Sequence, residues 1–268
     1  MQEKVKARPS QAKNNIHFHI PYNRLSEYIE LINQLKVNLE IYLDADNLDN
    51  LTLKALEESR SLFSYNPSLT LHGPFMDLSP GAVDSLVRGA TLQRIKQALD
   101  VAEAMGMHTV VLHSGYEKWK YDHKVKVWLE QSLRTWEPMV ELASLKGVRI
   151  AIENIFEDNP ENLAMLMDRL QHPSFGLCFD TGHFNLFSSI TLKQWLEITG
   201  TERIFELHVH DNDSTRDHHW APGEGIFPFD ELFTILNLPE RDDIVLTVEA
   251  HNMEHVKKSL EFFKRKFH

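Results

Sequence analysis

The sequence predicts an α/β protein of the (β/α)8 TIM-barrel class, and three observations support this. The chain has 268 residues, close to the roughly 250 that are typical of one such barrel. Eight short apolar segments with strand character alternate with segments of helical periodicity, an order that is typical of a parallel sheet. No glycine-rich loop of the dinucleotide-binding or P-loop type is present. Eight units in a chain of this length favour a closed barrel over an open, doubly wound sheet.

The first strand-helix-strand unit sets the pattern for the rest of the chain. Residues 16–20 (IHFHI) form a short β-prone run, and residues 25–34 carry apolar side chains at helical spacing. Residues 39–43 (LEIYL) alternate in polarity and end in an acidic loop that begins at Asp44. Residues 1–15 are polar and basic, so they are predicted to be a flexible N-terminal arm. Residues 16–268 are then one barrel domain.

The same alternation accounts for the remaining predicted elements. The further strands are short apolar runs and comprise residues 69–71, 109–112, 148–152, 175–179, 203–209 and 244–248. The further helices comprise about residues 51–62, 83–105, 125–145, 161–170, 192–198 and 229–235, with a closing helix after Met253. Together with the first unit, these make eight strands and eight helices.

Composition and charge restrict the class of protein. The chain is 42% hydrophobic and 25% charged, as in an ordinary globular enzyme. Its single cysteine, Cys178, excludes an intramolecular disulfide and is predicted to be a buried core thiol. The N-terminal residues do not resemble a signal peptide, and no apolar run approaches the roughly 18 residues of a membrane span, so we expect a cytoplasmic protein. The net charge of −11 argues against nucleic acid as a partner but not against a small anionic substrate.

Metal-capable side chains follow nearly every predicted strand from the third onward. In a barrel the carboxyl ends of the strands converge on one mouth, where the active site lies. The candidates that follow the strands are His72, His113, Glu153, Asp180, His183, His208, Asp217, His219 and Glu249. Imidazoles and carboxylates without thiolates suit zinc, manganese, iron or magnesium, and the many histidines favour zinc or manganese. The pattern therefore predicts a metal site in the mouth of the barrel.

Each of these residues, taken singly, also has an ordinary structural interpretation. A lone histidine after a strand, such as His72, is more often a hydrogen-bonded loop residue than a ligand. The run from Asp180 to His183 could be a helix-capping turn. It is the convergence of several strands on one point that favours a shared metal. The histidines without this alignment are predicted to lie on the surface or in packing contacts, and they are His17, His19, His123, His172, His251 and His255.

The motifs at these strand ends, in combination and order, resemble those of the xylose isomerase-like TIM-barrel superfamily. They read LHGPF, VLHSG, AIEN, CFDTGH, HVHDND, DHHWAPGEG and TVEA, and the resemblance covers essentially the whole chain after the first 15 residues. This superfamily includes the endonuclease IV-like apurinic-site endonucleases of AP endonuclease family 2, and sugar isomerases and epimerases. The resemblance implies a metal-dependent enzyme.

By this resemblance, the nine candidate residues would hold up to three divalent ions in three metal sets. The first metal set would be His72, His113 and Glu153. The second metal set would be Glu153, Asp180, His208 and Glu249, with Glu153 shared between the two. The third metal set would be His183, Asp217 and His219, with His219 preferred to His218 because of its distance from the GEG motif. Endonuclease-like members fill all nine positions, whereas epimerase-like members usually keep the second metal set alone.

Three functions follow as hypotheses. The first is hydrolysis of a small phosphoester at a multinuclear site, in which Glu153 would position the attacking hydroxide. DNA is not the expected substrate, because Asp44, Asp46 and Asp49 follow the second strand where DNA-binding members are basic.

The second hypothesis is a sugar or sugar-phosphate isomerase or epimerase with a single metal, in which Glu153 and Glu249 would transfer a proton and His183 would contact the substrate. The third is a non-catalytic binding barrel. The sequence predicts neither the exact substrate nor the oligomeric state.

Overall fold

A computed structural model describes residues 15–238 and 240–267. Its eight parallel strands form a closed barrel in sequence order, in which the first strand pairs with the last. The strands are β1 (Ile16–Pro21), β2 (Asn38–Tyr42), β3 (Leu69–His72), β4 (Thr109–His113), β5 (Arg149–Glu153), β6 (Phe175–Asp180), β7 (Ile204–Val209) and β8 (Val245–Val248). The predicted (β/α)8 fold is confirmed. The predicted N-terminal arm, apart from Asn15, lies outside the described residues.

Helices surround this barrel in the predicted order. They are α1 (Leu25–Leu35), α2 (Ala45–Asn50), α3 (Leu53–Ser61), α4 (Ser85–Met105), α5 (Val125–Leu145), α6 (Glu161–Leu170), α7 (Thr181–Phe187), α8 (Leu192–Thr199), α9 (Phe229–Ile235) and α10 (Met253–Lys266). Helices α5, α6 and α9 have the predicted bounds, and the others that were predicted agree within about two residues. None of the described helices combines the length and the apolar character that crossing a membrane requires.

Two short helices, α2 and α7, were not among the predicted helices, although a helix-capping turn at Asp180 was one interpretation of the sequence. Each follows the carboxyl end of a strand and begins directly after an aspartate that caps it. Asp44 accepts a hydrogen bond from the Asn47 N–H at 2.7 Å, and the Asn47 side chain accepts one from the Asp44 N–H at 3.2 Å. The predicted acidic loop after β2 is therefore the capped start of a helix. Asp49, in the same helix, forms an ion pair with Arg94 at 2.6 Å.

The interior of the barrel has an apolar side and a polar side. Val111, Ala151 and Cys178 form a small buried cluster on neighbouring strands, which agrees with the predicted buried thiol. The polar side begins at Glu206, which is paired with Cys178 in the strand register, is fully buried and accepts hydrogen bonds from the hydroxyls of Thr247 and, at 3.4 Å, Thr70. Along β7, this polar side continues from Glu206 to His208, near the carboxyl end of the barrel.

Candidate metal centre

The strand register brings the candidate ligands together at the carboxyl end of the barrel. His113 lies beside Glu153 on neighbouring strands, and Asp180 lies beside His208. Side chains on a strand alternate between its two faces, so the last inward-facing residue of each strand points into the mouth. All nine predicted residues lie there, and Glu153 is at their centre.

The first metal set is compact. One oxygen of Glu153, Oε2, lies 3.2 Å from Nε2 of His72 and 3.2 Å from Nε2 of His113. The His113 ring is in turn covered by Phe75, which stacks on it with ring centroids 4.6 Å apart. Three possible metal-ligand atoms, two imidazole nitrogens and one carboxylate oxygen, therefore lie close together beside the ring of Phe75.

The second metal set surrounds a buried imidazole nitrogen. Nδ1 of His208 lies 3.3 Å from Oε1 of Glu153, 3.3 Å from Oε1 of Glu249 and 3.8 Å from Oδ2 of Asp180. This nitrogen is buried and makes no hydrogen bond. A buried polar atom without a partner is costly unless something satisfies it. A divalent cation among three carboxylates would do so.

The third metal set lies beside the second. Oδ2 of Asp217 lies 2.9 Å from Nε2 of His219 and 3.5 Å from Nε2 of His183. His183 also reaches the central carboxylate, with its Nδ1 3.2 Å from Oε1 of Glu153. The neighbouring His218 instead stacks on Trp220, with ring centroids 4.2 Å apart. The structure therefore brings His219, and not His218, to Asp217.

The loop that carries Asp217 and His219 is held down by Asp211, immediately after β7. The Asp211 carboxylate is fully buried and accepts hydrogen bonds from the N–H groups of Gly223 and Gly225, both at 2.9 Å. Because these backbone donors are satisfied by one fixed carboxylate, the loop folds back over the mouth. Asp180 fixes the other side by capping α7, where it accepts a hydrogen bond from the His183 N–H at 2.6 Å.

The carboxylates and imidazoles of the centre shift one another's pKa. Burial opposes ionisation of Glu153, but the charge of His208 holds the pKa of Glu153 well below its usual value. Burial also opposes ionisation of Glu249, and His208 lowers the pKa of Glu249 to about 2. Burial would lower the pKa of His72, but its hydrogen bond to Glu153 raises that pKa to about 9. The carboxylates of the centre are therefore ionised, and the imidazoles beside them balance their charge.

Several residues of the mouth were not predicted as part of the site, among them His251, whose ring stacks on His219 with centroids 4.0 Å apart. His210 lies with Nε2 2.9 Å from Oδ2 of Asp180, and its ring stacks on His219 at 4.0 Å. Glu40 and His19 lie side by side on β2 and β1, with His19 Nδ1 2.9 Å from Glu40 Oε1. His19 was predicted to lie on the surface or in a packing contact; its ring packs on Tyr42, and its Nδ1 also lies 3.4 Å from Glu249, so the structure places it at the mouth.

The alternation of side chains along a strand could have indicated some of these residues, because residues two apart point to the same face. His17 and His19 are two residues apart on β1, as are Glu206 and His208 on β7, so each pair points into the barrel. His17 lies one layer below the mouth and is buried against Leu39, whose carbonyl oxygen is 3.2 Å from its Nδ1. Burial lowers the pKa of His17 to about 3, so His17 has a packing role.

The centre opens into a cavity of about 980 Å³ at the mouth. Tyr42, Phe75 and Tyr116 contribute aromatic walls, and Arg24 and Lys120 are the cations in its lining. The Lys120 ammonium donates to the Ser79 hydroxyl at 3.0 Å and has no carboxylate partner within the described residues. Such a cavity suits a small molecule with both an anionic group and an apolar face.

The residues of the centre fit divalent metal ions. They offer only imidazole nitrogens and carboxylate oxygens, and two buried imidazole nitrogens, Nδ1 of His208 and Nδ1 of His210, have no hydrogen-bond partner. Ligand atoms of several subsets lie within 4.8 Å of one another, among them His72 with Glu153 and His208. This donor chemistry suits zinc or manganese.

Known proteins resemble the chain over most of its length. A solved structure described as the TTHB071 protein from Thermus thermophilus, soaked with ZnCl2, is 26% identical, with a TM-score of 0.76 over 94% of this chain and 97% of that one. A D-tagatose 3-epimerase-like protein is also 26% identical, with a TM-score of 0.78 over 93% of this chain and 96% of its own. A probable endonuclease 4 of Oceanobacillus iheyensis is 23% identical over 199 residues, which cover 68% of this chain and 66% of that protein.

The family assignment rests on a match that covers most of the barrel. The model of one family, described as xylose isomerase-like TIM barrel, matches residues 39–266. This range includes all nine residues of the three metal sets, the strands β3 to β8 and all of β2 except its first residue. With this match, the closed eight-stranded barrel and the similar structures, the chain belongs to the xylose isomerase-like TIM-barrel family.

Proposed function

We propose that this protein is a metal-dependent hydrolase of a small phosphoester, with up to three zinc or manganese ions in the three metal sets. The observation that carries the proposal is the convergence of all nine donor residues around Glu153, which touches both the first and the second set. A site for a single metal would not need His72, His113 or the third set. The zinc soak of a similar structure and the relation to a probable endonuclease 4 support the proposal.

The bound ions would supply Lewis acidity toward the oxygens of a phosphoryl group. The chain itself would position the substrate and exclude water. Lys120, which lacks a carboxylate partner in the described part of the chain, is placed to attract an anionic group at the rim. The ring of Phe75 covers His113 and would shield the floor of the cavity.

A small substrate suits this site better than a nucleic acid. The net charge is −11, and the helix that follows β2 carries the exposed carboxylate of Asp46, beside Asp49, which is paired with Arg94. An extended phosphate backbone would be repelled there. A single phosphoester would instead enter a cavity of about 980 Å³ and meet Lys120 and Arg24.

A second candidate is a sugar or sugar-phosphate isomerase or epimerase. It is favoured by the similarity to a D-tagatose 3-epimerase-like protein. The second metal set also has the form that this chemistry needs, because Glu153 and Glu249 each lie 3.3 Å from Nδ1 of His208. The two carboxylates would exchange a proton with the substrate carbon, and His183, which borders the cavity, would contact the substrate.

The two candidates are separated by metal content and by one double variant. Protein purified without chelator is analysed for metal per chain, and phosphomonoester and phosphodiester hydrolysis is measured with p-nitrophenyl phosphate and bis-p-nitrophenyl phosphate. We expect two or three ions per chain and hydrolysis of at least one of these esters. The double variant His72→Ala/His113→Ala should lose an ion and most of the hydrolysis, since it removes most of the first metal set.

The opposite results would favour the epimerase. One ion per chain, no ester hydrolysis and incorporation of deuterium from D2O into a ketose or ketose phosphate would overturn the hydrolase proposal. An epimerase should keep its activity in the His72→Ala/His113→Ala protein. His219→Gln and His218→Gln are a matched pair, because only His219 contacts Asp217. Loss of an ion in His219→Gln alone would assign the third metal set.

A further inference from the structure

Glu40 is a buried carboxylate in the middle of a barrel strand. It lies on β2 between Leu39 and Ile41, which pack in the hydrophobic core, and it has no exposed surface. Burying a carboxylate is costly unless it is paired and hydrogen-bonded. Neither the three metal sets nor the proposed reaction uses Glu40, so its partners are informative.

The partners of Glu40 are two imidazoles at the metal centre. Its Oε2 lies 3.3 Å from Nε2 of His208, and its Oε1 lies 2.9 Å from Nδ1 of His19. Both histidines point toward Glu249, at 3.3 and 3.4 Å. One buried carboxylate therefore contacts two rings: that of His208, which belongs to the second metal set, and that of His19, which lies beside it.

The two nitrogens of His208 have opposite surroundings. Nε2 faces Glu40, whereas Nδ1 faces Glu153, Asp180 and Glu249 and has no hydrogen bond. An ionised carboxylate accepts hydrogen bonds and cannot donate them. The nitrogen that faces Glu40 must then keep its proton. Nδ1 is therefore the nitrogen that gives up its proton when the ring becomes neutral, and its lone pair is then available to a metal ion among the carboxylates of the second metal set.

We propose that Glu40 is the positioning residue of the metal centre: it holds His208 in the Nε2–H tautomer, so that Nδ1 is available as a metal ligand. A carboxylate behind a ligand histidine raises the basicity of the ligand nitrogen and fixes the orientation of the ring. This inference rests on the metal centre of the proposed function but not on the reaction. Failure of phosphoester hydrolysis would leave it intact.

Glu206 provides a matched control inside the same barrel. It is also fully buried and lies two residues before His208 on β7, and ligand atoms of Glu206, Glu40 and His208 lie within 4.8 Å of one another. Its hydrogen bonds, however, are to Thr247 and Thr70. Glu206→Gln therefore removes an interior carboxyl without removing the partner of His208. Glu40→Gln removes that partner's charge while keeping nearly the same volume.

The first test is the affinity for zinc, measured at one pH by competition with a chromogenic chelator. We expect Glu40→Gln to weaken zinc binding by about 10- to 100-fold, as substitutions behind ligand histidines typically do. Glu206→Gln should stay within about threefold of the wild-type protein. Equal losses in both variants, or an affinity of folded Glu40→Gln within about threefold of wild type, would overturn the proposal.

The second test needs no variant of Glu40, so it holds even if Glu40→Gln fails to fold. The zinc-loaded wild-type protein is labelled with ¹⁵N-histidine, and two-bond nitrogen-proton couplings report which ring nitrogen of His208 carries the proton. The signal is assigned by its loss in His208→Gln. We expect a proton on Nε2. A proton on Nδ1 would overturn the proposal, whatever the enzymatic activity of the protein.

Discussion

At the scale of single residues, Glu206 couples the stability of the barrel to pH. It is fully buried, and one of its oxygens, Oε2, makes no hydrogen bond. Burial and the charge of Glu40 raise the pKa of Glu206 from 4.5 to about 8. The folded protein thus keeps a proton on Glu206 at neutral pH that the unfolded chain has already lost.

Glu206→Gln should stabilise the metal-free protein, and increasingly so between pH 5 and pH 8. The folded pKa lies above the unfolded one, so the contribution of Glu206 is fully present below about pH 4.5 and is lost as the pH rises to about 8. Within this range, each pH unit lowers the folding equilibrium constant by up to about tenfold. A glutamine does not titrate and can still accept the hydrogen bond of Thr247. Chemical denaturation across this pH range measures the difference.

The control for this prediction is Glu57→Gln, on the exposed face of α3. This variant makes the same chemical change at an exposed position, so it separates the effect of burial from that of the substitution itself. A stability difference between Glu206→Gln and the wild type that stays constant over the pH range would contradict the raised pKa of Glu206.

The residues of the metal centre that could be predicted from the sequence are those that end a strand or directly follow one. His72, His113 and Glu153 end their strands, and position alone indicates that they meet. Glu40 and His19 lie inside β2 and β1. The apolar residues around them indicate a buried strand, and nothing in the local sequence distinguishes a polar residue of the site from one without a function. The stacking of His210 on His219 depends on a loop that returns over the mouth, and no local pattern specifies that path.

At the scale of elements, the approach of α7 to β7 depends on Gly182. A Cβ atom built on Gly182 would lie 2.0 Å from Cε1 of His210, well inside the contact distance of two carbon atoms. His210 is fully buried and is held by Asp180, at 2.9 Å, so it has little room to move. The glycine lets the first turn of α7 pass directly over the imidazole.

Gly182→Ala should displace His210 and disturb the second and third metal sets. We expect a loss of stability of about 1 to 3 kcal/mol, which is typical of overpacking a buried position, together with a lower metal content per chain. Gly89→Ala in α4 is the matched control, because nothing lies within 4 Å of its added Cβ. That variant should be stabilised by up to about 1 kcal/mol, since alanine favours a helix. Normal metal content in Gly182→Ala would show that α7 can shift without cost to the centre.

The elements themselves were largely predictable, for a physical reason. Helices such as α5 and α6 are long enough for their apolar periodicity to be visible, and strands such as β6 are buried on both faces. Helices α2 and α7 span only six and seven residues, too few for a period of 3.6 to show. They form because Asp44 and Asp180 cap them at the ends of strands.

At the scale of the whole molecule, the mouth concentrates carboxylates in a protein that is already acidic. Glu153, Asp180, Asp217 and Glu249 share one end of the barrel, and the net charge of the chain is −11. Without a metal ion, protonated imidazoles must balance these charges, which they do only where the pH lies below their raised pKa values. Divalent cations would balance them more effectively and would bind only the folded chain, because the ligands come from β3 to β8 and are far apart in the unfolded one.

Removal of the metal should therefore destabilise the entire barrel. A ligand that binds only the folded state stabilises it by about 2.7 kcal/mol when its concentration is 100 times its dissociation constant. For a domain of this size, that corresponds to a fall of roughly 5 to 10 °C in the melting temperature when a chelator strips the ions. Calorimetry with and without EDTA measures the change, and zinc or manganese should restore the melting temperature.

Magnesium should restore the melting temperature less, because it prefers oxygen ligands to imidazole. His218→Gln should respond to EDTA as the wild type does, whereas Glu153→Gln, which lacks the shared ligand, should respond much less. Equal melting temperatures with and without EDTA in the wild-type protein would mean that the nine residues are held by their own ion pairs alone.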